Sequence, residues 1–299
     1  MNGVRTVGKA VAFPGQGIQY LGMAEPLRKT PAWHLFEEAS VILGYDLAEL
    51  LCSGPEEKLH QTEYAQPAVF VTCFALWEFY KGQLEPELFL GHSLGEITAF
   101  AAAGAFSFAD GVRLAAARGK FMGELSGGML AVIGLDEETL AQICRKVSQT
   151  HFVSIANLNC PGQVVLSGVE TALEQATGLA LEQGARRAVP LKVSGPFHTE
   201  LMAPAAQKLQ EYITSIEMQD ISIPVISNHR NEPVYKGEDI KAELVEQLTQ
   251  PVRFAENVLK AAQLGIDTLV EMSPKAVIGP MARRTLGTLK ISLATPGGI

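Results

Sequence analysis

Ser93 stands in Gly91-His92-Ser93-Leu94-Gly95, after the apolar run Leu88-Phe89-Leu90 and before Ile97-Thr98-Ala99-Phe100-Ala101. That order predicts a strand, a sharp turn and a helix, a corner that lifts a serine hydroxyl out of a sheet as an exposed nucleophile. Glycines on either side leave room where a side chain would crowd the strand or the helix. The positive end of the following helix favours an anionic intermediate. A GxSxG string alone is a weak signal in a chain with 28 glycines; the strand-turn-helix setting gives it meaning.

A serine hydroxyl needs a base within hydrogen-bond reach to become a nucleophile at neutral pH. The chain offers His34, His60, His92, His151, His198 and His229. His92 adjoins the serine, yet on such a turn its ring points away, towards the pocket lining. His34, His60 and His229 fall in polar stretches that predict solvated or capping roles, and His151 falls at a strand edge. His198 follows the Gly195-Pro196 turn and lies C-terminal to the serine, the chain order of α/β-hydrolase-like sites, which makes it the candidate base. An oxyanion needs backbone donors from two turns. The N–H of Leu94 is one candidate, and Gln16, in the strand-end turn Pro14-Gly15-Gln16-Gly17, supplies the other.

The elements that must position these groups read as α/β. Val11-Ala12-Phe13 predicts a strand, and Gln66-Pro67-Ala68 opens an apolar helix through Tyr80, since proline suits a first helical turn. Phe108 to Leu125 predicts another helix, with Val112, Leu114, Ala115 and Phe121 on its buried stripe. After Gly127-Gly128 the order becomes strand, helix, two strands, helix, strand, the ferredoxin-like unit. The expected organisation is an α/β-hydrolase-like domain from residues 1–127 and 197–299, with a ferredoxin-like domain inserted at 128–196.

Composition narrows the function. With 47% hydrophobic residues the chain can bury a large core, and its net charge of −8 argues against a sequence-independent grip on nucleic acid. Cys52, Cys73, Cys144 and Cys160 form no Cys-x-x-Cys pair and show no metal-ligand spacing with histidine, so buried thiols in a reducing compartment are expected and no metal site is. No stretch reads as a signal peptide or is long enough to cross a bilayer, which predicts a cytoplasmic protein.

Several further motifs occur in order: Phe13-Pro14-Gly15-Gln16-Gly17, Gly91-His92-Ser93-Leu94-Gly95-Glu96, Arg118-Gly119-Lys120-Phe121-Met122, Asn157-Leu158-Asn159-Cys160-Pro161-Gly162-Gln163-Val164-Val165 and Gly195-Pro196-Phe197-His198. Together, from about Phe13 to Pro280, they resemble malonyl-CoA:acyl carrier protein transacylases. That family includes stand-alone enzymes of fatty acid synthesis and discrete trans-acting acyltransferases of polyketide synthesis. The resemblance implies that Ser93 carries the acyl ester and that His198 is its base and then the acid for the leaving thiol. It also implies that Gln16 and Leu94 line the oxyanion hole and that Gln247 orients His198 through its backbone carbonyl. It places Arg118 on the free carboxylate of malonyl, a bidentate role suited to a guanidinium. Phe197 narrows the pocket against a branched acyl group, and Met122, Gln66, His92, Asn157 and Asn159 match pocket positions. Malonyl-CoA is the implied donor and the phosphopantetheine arm of an acyl carrier protein the acceptor, with no bound cofactor and a monomeric protein. Carrier proteins are acidic, so a basic patch should receive them, with Lys192, Arg230 and Arg253 as candidates. Ile18 departs from the small polar residue common in the family. Two rival readings share these residues: a hydrolase that strips stalled acyl groups from carrier proteins, and a non-catalytic docking module. Retention of Arg118, Ser93 and His198 together speaks for the transferase. The segment from Leu43 to Pro67 leans towards the trans-acting polyketide enzymes.

Overall fold

The computed structural model describes residues 8–193, 195–295 and 297–299. Ten strands are present among them: β1 (Gly8–Phe13), β2 (Leu88–Gly91), β3 (Gly128–Ile133), β4 (Val153–Cys160), β5 (Gln163–Gly168), β6 (Arg187–Pro190), β7 (Val225–Ile226), β8 (Pro233–Val234), β9 (Ile266–Met272) and β10 (Lys290–Ala294). Twelve α-helices accompany them: α1 (His34–Leu43), α2 (Leu47–Ser53), α3 (Glu56–His60), α4 (Thr62–Tyr80), α5 (Leu94–Ala102), α6 (Phe108–Gly123), α7 (Glu137–Val147), α8 (Glu170–Glu182), α9 (Ala203–Ile213), α10 (Gly237–Glu246), α11 (Phe254–Gln263) and α12 (Ile278–Thr285).

One sheet has the order β10-β9-β1-β2-β7-β8. Its strands are parallel except for β8, which runs antiparallel to β7. Helices cover both faces, so its inner strands are near-continuous apolar runs. The two-residue period still sorts them. Val11, Phe13 and Phe89 face the core built around α4, α5 and α6, whereas Ala10, Ala12, Leu88 and Leu90 pack with Phe254, Val258 and Ile278 on the opposite face. The second sheet is antiparallel, in the order β4-β5-β3-β6, with α7 and α8 packed on it over a separate apolar core. That strand order is the one a ferredoxin-like unit requires.

Helix α4 starts earlier than its sequence suggests. Gln61 accepts from the N–H groups of Tyr64 and Ala65, so a full turn precedes Pro67, which lies inside the helix. The missing proline N–H costs one hydrogen bond near the helix start, where the remaining turns are locked by burial on every side. Helix α6 crosses α4 at Gly119, where a Cβ would come within 2.7 Å of the Thr62 carbonyl oxygen. That close approach turns the neighbouring Arg118 inwards. The start of α12 is tied to β9 by Glu271, a fully buried carboxyl that accepts from the N–H groups of Val277, Ile278 and Gly279 at 2.8, 2.9 and 2.8 Å. No helix among the described residues is long and apolar enough to cross a membrane. Cys52, Cys73, Cys144 and Cys160 are all free thiols.

Candidate active site

Between the two sheets lies a cavity of about 400 Å³. Ser93 reaches it from the turn joining β2 to α5 with φ 54° and ψ −111°, a sparsely populated positive-φ conformation that costs a non-glycine residue about 1–3 kcal/mol. A Cβ at Gly91 would fall inside the backbone of Glu96, and one at Gly95 inside the Phe13 carbonyl. The motif glycines are therefore demanded by the close approach of α5 to β1 and β2.

Ser93 Oγ lies 2.7 Å from His198 Nε2. His198 Nδ1 lies 2.9 Å from the Gln247 carbonyl oxygen, which can only accept, so the ring proton sits on Nδ1 and the Nε2 lone pair faces the serine hydroxyl. His198 is itself at φ 60° and buried. Burial, with the nearby Arg118 charge, pushes its pKa down to about 3, so the imidazole is neutral at physiological pH.

Arg118 is 1% exposed and projects into the same cavity. Its Nη2 donates to Ser93 Oγ at 3.2 Å and to Gln247 Oε1 at 2.8 Å, and its Nη1 donates to Gln66 Oε1 at 2.9 Å. Its Nε is buried without a partner in the protein. All three side chains that accept from it are neutral. Burial lowers the guanidinium pKa to about 10, opposed by the charge of Glu96, so it remains a cation at neutral pH. A buried cation held by neutral acceptors is a ready receptor for a carboxylate.

The other pocket candidates gather around this group. Gln66 donates to Met122 Sδ at 3.4 Å. His92 turns away from the serine and donates from Nε2 to Asn159 Oδ1 at 2.8 Å, with Phe254 against its ring. Phe197 and Asn157 also line the cavity, as does Ile18, which is buried. Leu94 is the first residue of α5, so its N–H has no acceptor within the helix. Gln16 lines the cavity from the turn after β1, and its side chain donates to Thr62 Oγ1 at 3.2 Å.

Other expectations fail. His60 is not simply solvated: it lines the cavity, with Nδ1 3.2 Å from Gln19 Nε2 and Nε2 3.3 Å from Glu56 Oε1. His229 is not a solvated turn residue, since its ring bridges Glu243 and Glu246 at 2.9 and 3.2 Å. Of the expected basic patch, Arg230 is paired with Glu246 and Arg253 with Glu256, which cancels their charge, whereas Lys192 stands exposed at the cavity.

Sequence reasoning also missed the residues that clamp the elbow. Asn228 Oδ1 accepts from the Ser93 N–H at 2.7 Å, and its Nδ2 donates to the Gly91 carbonyl at 2.7 Å. Glu96, within the same motif, is fully buried and accepts from the Asn228 N–H at 2.7 Å. A carboxyl one turn into an otherwise apolar helix was the one signal available for it. Among the described residues, no group of three or more His, Cys, Asp or Glu side chains could hold a metal ion.

A serine on a strand-to-helix corner, hydrogen-bonded to a histidine and set beside an unneutralised cation, can form and discharge an ester of an acid-bearing acyl group. The chain belongs to the acyl transferase domain family, whose model matches residues 11–295. It is 43% identical over 296 residues to the malonyl CoA-acyl carrier protein transacylase of Bacillus subtilis, covering 96% of this chain and 93% of that protein. The acyl-carrier-protein S-malonyltransferase of Burkholderia pseudomallei superimposes with a TM-score of 0.94 at 35% identity, covering 96% of each chain. A malonyl transacylase solved with a type II polyketide synthase acyl-carrier protein does so with a TM-score of 0.93 at 39% identity, over 96% of this chain and 95% of that one.

Proposed function

We propose that this chain transfers malonyl from CoA to the phosphopantetheine thiol of an acyl carrier protein through an ester on Ser93. The observation that carries the reading is that a single oxygen, Ser93 Oγ, is within hydrogen-bond distance of both His198 Nε2 and Arg118 Nη2. The names of the relatives point the same way.

In the first half-reaction Arg118 takes the free carboxylate of malonyl, which sets the thioester carbonyl over Ser93. His198 Nε2 accepts the hydroxyl proton as Oγ bonds to the carbonyl carbon. The N–H groups of Leu94 and Gln16 are the donors for the resulting oxyanion. The carbon–sulfur bond breaks, His198 returns its proton to sulfur, and CoA leaves as the thiol. In the second half the phosphopantetheine thiol gives its proton to Nε2 and its sulfur attacks the ester. Oγ leaves with that proton, and the serine is restored.

No aspartate backs the histidine; its partner is a carbonyl. The Arg118 charge opposes protonation of His198 in the empty site. A malonyl carboxylate on Arg118 cancels that opposition, so a substrate with a free acid helps its own proton transfer. The antiparallel sheet with its own core supports reading residues 128–196 as an inserted ferredoxin-like domain that supplies the far wall of the cavity. Lys192 at the mouth is a cation on which an acidic carrier protein can bear.

The test is intact-protein mass measurement after incubation with malonyl-CoA, followed by addition of a holo acyl carrier protein. A persistent malonyl adduct, absent in Ser93→Ala and moved to the carrier protein, is expected. Free malonate without carrier protein would instead identify a hydrolase, and the lack of any adduct a docking module.

A further inference from the structure

Beneath the elbow, Glu96 holds two donors at once. One of its carboxyl oxygens accepts from the backbone N–H of Asn228 at 2.7 Å, and the other accepts from Gln247 Nε2. Gln247 Nε2 also donates to the Ser93 carbonyl at 3.1 Å, which leaves Gln247 Oε1 facing Arg118 Nη2 at 2.8 Å. The side chains of Glu96, Gln247 and Arg118 are all buried, so none can exchange a lost partner for bulk water. Gln247 is thus a relay whose nitrogen end is anchored by Glu96 and whose oxygen end aims the guanidinium.

Only a group with two acceptor oxygens can serve at position 96. An amide would turn its NH₂ towards either the Asn228 N–H or Gln247 Nε2, leaving two donors face to face. The Asn228 donor belongs to the main chain, and the Asn228 side chain is fixed to Ser93 and Gly91. The Gln247 side chain is the freer of the two, and it would yield. Glu243 lies on the far side, also fully buried, accepting from Ser227 Oγ at 2.7 Å and bonded to His229 Nδ1 at 2.9 Å. Burial and the Glu243 charge hold the Glu96 carboxyl well above the usual carboxylate range. The hydrogen bonds it accepts from Asn228 and Gln247 oppose that rise.

We propose that Glu96 is a positioning residue for acyl selection: by anchoring the Gln247 amide it holds the Arg118 guanidinium in line with Ser93, and so sets the preference for acyl groups that carry a free carboxylate. This rests on the transferase reading above and adds to it a residue that touches no substrate.

The experiment compares rates of Ser93 acylation by malonyl-CoA and acetyl-CoA in the unaltered protein, Glu96→Gln, Glu243→Gln and Arg118→Ala. Glu96→Gln should lower the malonyl-to-acetyl ratio of kcat/KM about tenfold through the malonyl KM, with acetyl labelling within about twofold of its starting rate. Glu243→Gln leaves both Glu96 acceptors in place and should keep the ratio. An equal loss for both thioesters in Glu96→Gln, or no loss for either, overturns the proposal. A ratio that collapses in Arg118→Ala but holds in Glu96→Gln sinks the role of Glu96 alone. A ratio that holds in both sinks the carboxylate role of Arg118 as well. Should Glu96→Gln fail to fold, Gln247→Met removes the relay while retaining the carbonyl under His198. It must show the same fall in ratio, and an unchanged ratio refutes the inference.

Discussion

Arg118→Ala tests the coupling between substrate choice and proton transfer. In the intact site the guanidinium has a buried Nε without a protein partner and two terminal nitrogens bound only to neutral acceptors. A malonyl carboxylate received there gains two charge-assisted hydrogen bonds, each worth about 1.5–3 kcal/mol. The lower bound of about 3 kcal/mol is about 10²-fold in kcat/KM for malonyl-CoA. Acetyl-CoA makes no such contact, so its rate should hold or rise, and the malonyl-to-acetyl ratio should fall about 10²-fold. The pH profile adds a second readout. Acylation needs Nε2 of His198 unprotonated, and burial and then the Arg118 charge push that ring down to about 3. The acid limb from this group therefore lies far below neutrality in the intact enzyme. Removing Arg118 deletes one depressing cause, so the His198 pKa rises and the acid limb for acetyl-CoA moves to higher pH. Single-turnover rates of ester formation across pH, read by intact mass, measure both effects. A ratio that stays within twofold, or an acid limb that moves to lower pH, would refute the electrostatic account.

Two further perturbations concern the frame. Asn228→Ala strips the Ser93 N–H of its acceptor and the Gly91 carbonyl of a donor; with about 1–3 kcal/mol for each orphaned group, chemical denaturation should show a loss of about 2–6 kcal/mol, and a loss below about 0.5 kcal/mol would remove Asn228 as the clamp. Gly95→Ala drives a methyl into the Phe13 carbonyl and should cost about 3 kcal/mol or more, seen as a Tm lowered by about 6 °C or more; an unchanged Tm would show that α5 can move off β1 freely.

What the sequence disclosed divides by range. Ser93, its glycines and the helix after it were legible because strand, turn and helix are consecutive and the demand for glycine is local. The start of the helix over Glu137–Val147 has a local signal of the same kind, since Asp136 caps it by accepting from the Thr139 N–H at 2.9 Å. The place of Pro67 was misjudged because proline marks a first turn only when nothing else holds the preceding residues, and here packing against α6 does. The partners of His198 and Arg118 came from family motifs, since no spacing rule links positions so far apart. Asn228 and Glu243 were invisible for the same reason: an asparagine after a short strand and a glutamate in a polar helix look like surface residues until the fold closes over them. His229 and Arg230 were misread with them, because their carboxylate partners arrive from α10. The two residues of β8, Pro233 and Val234, are too few for a pattern to emerge.

The cavity is shared between two layers that answer to different demands. The serine, the histidine and the guanidinium hang from the parallel sheet and the helices around it, where unusual backbone angles and buried polar contacts tolerate little change. Met129, Asn157 and Val165, on the opposite side, are carried by the smaller antiparallel sheet. All three are buried, so a change of side-chain size there alters the room left in the cavity. The width of the room for an acyl chain is thus set from one layer, and the chemistry performed on it from the other.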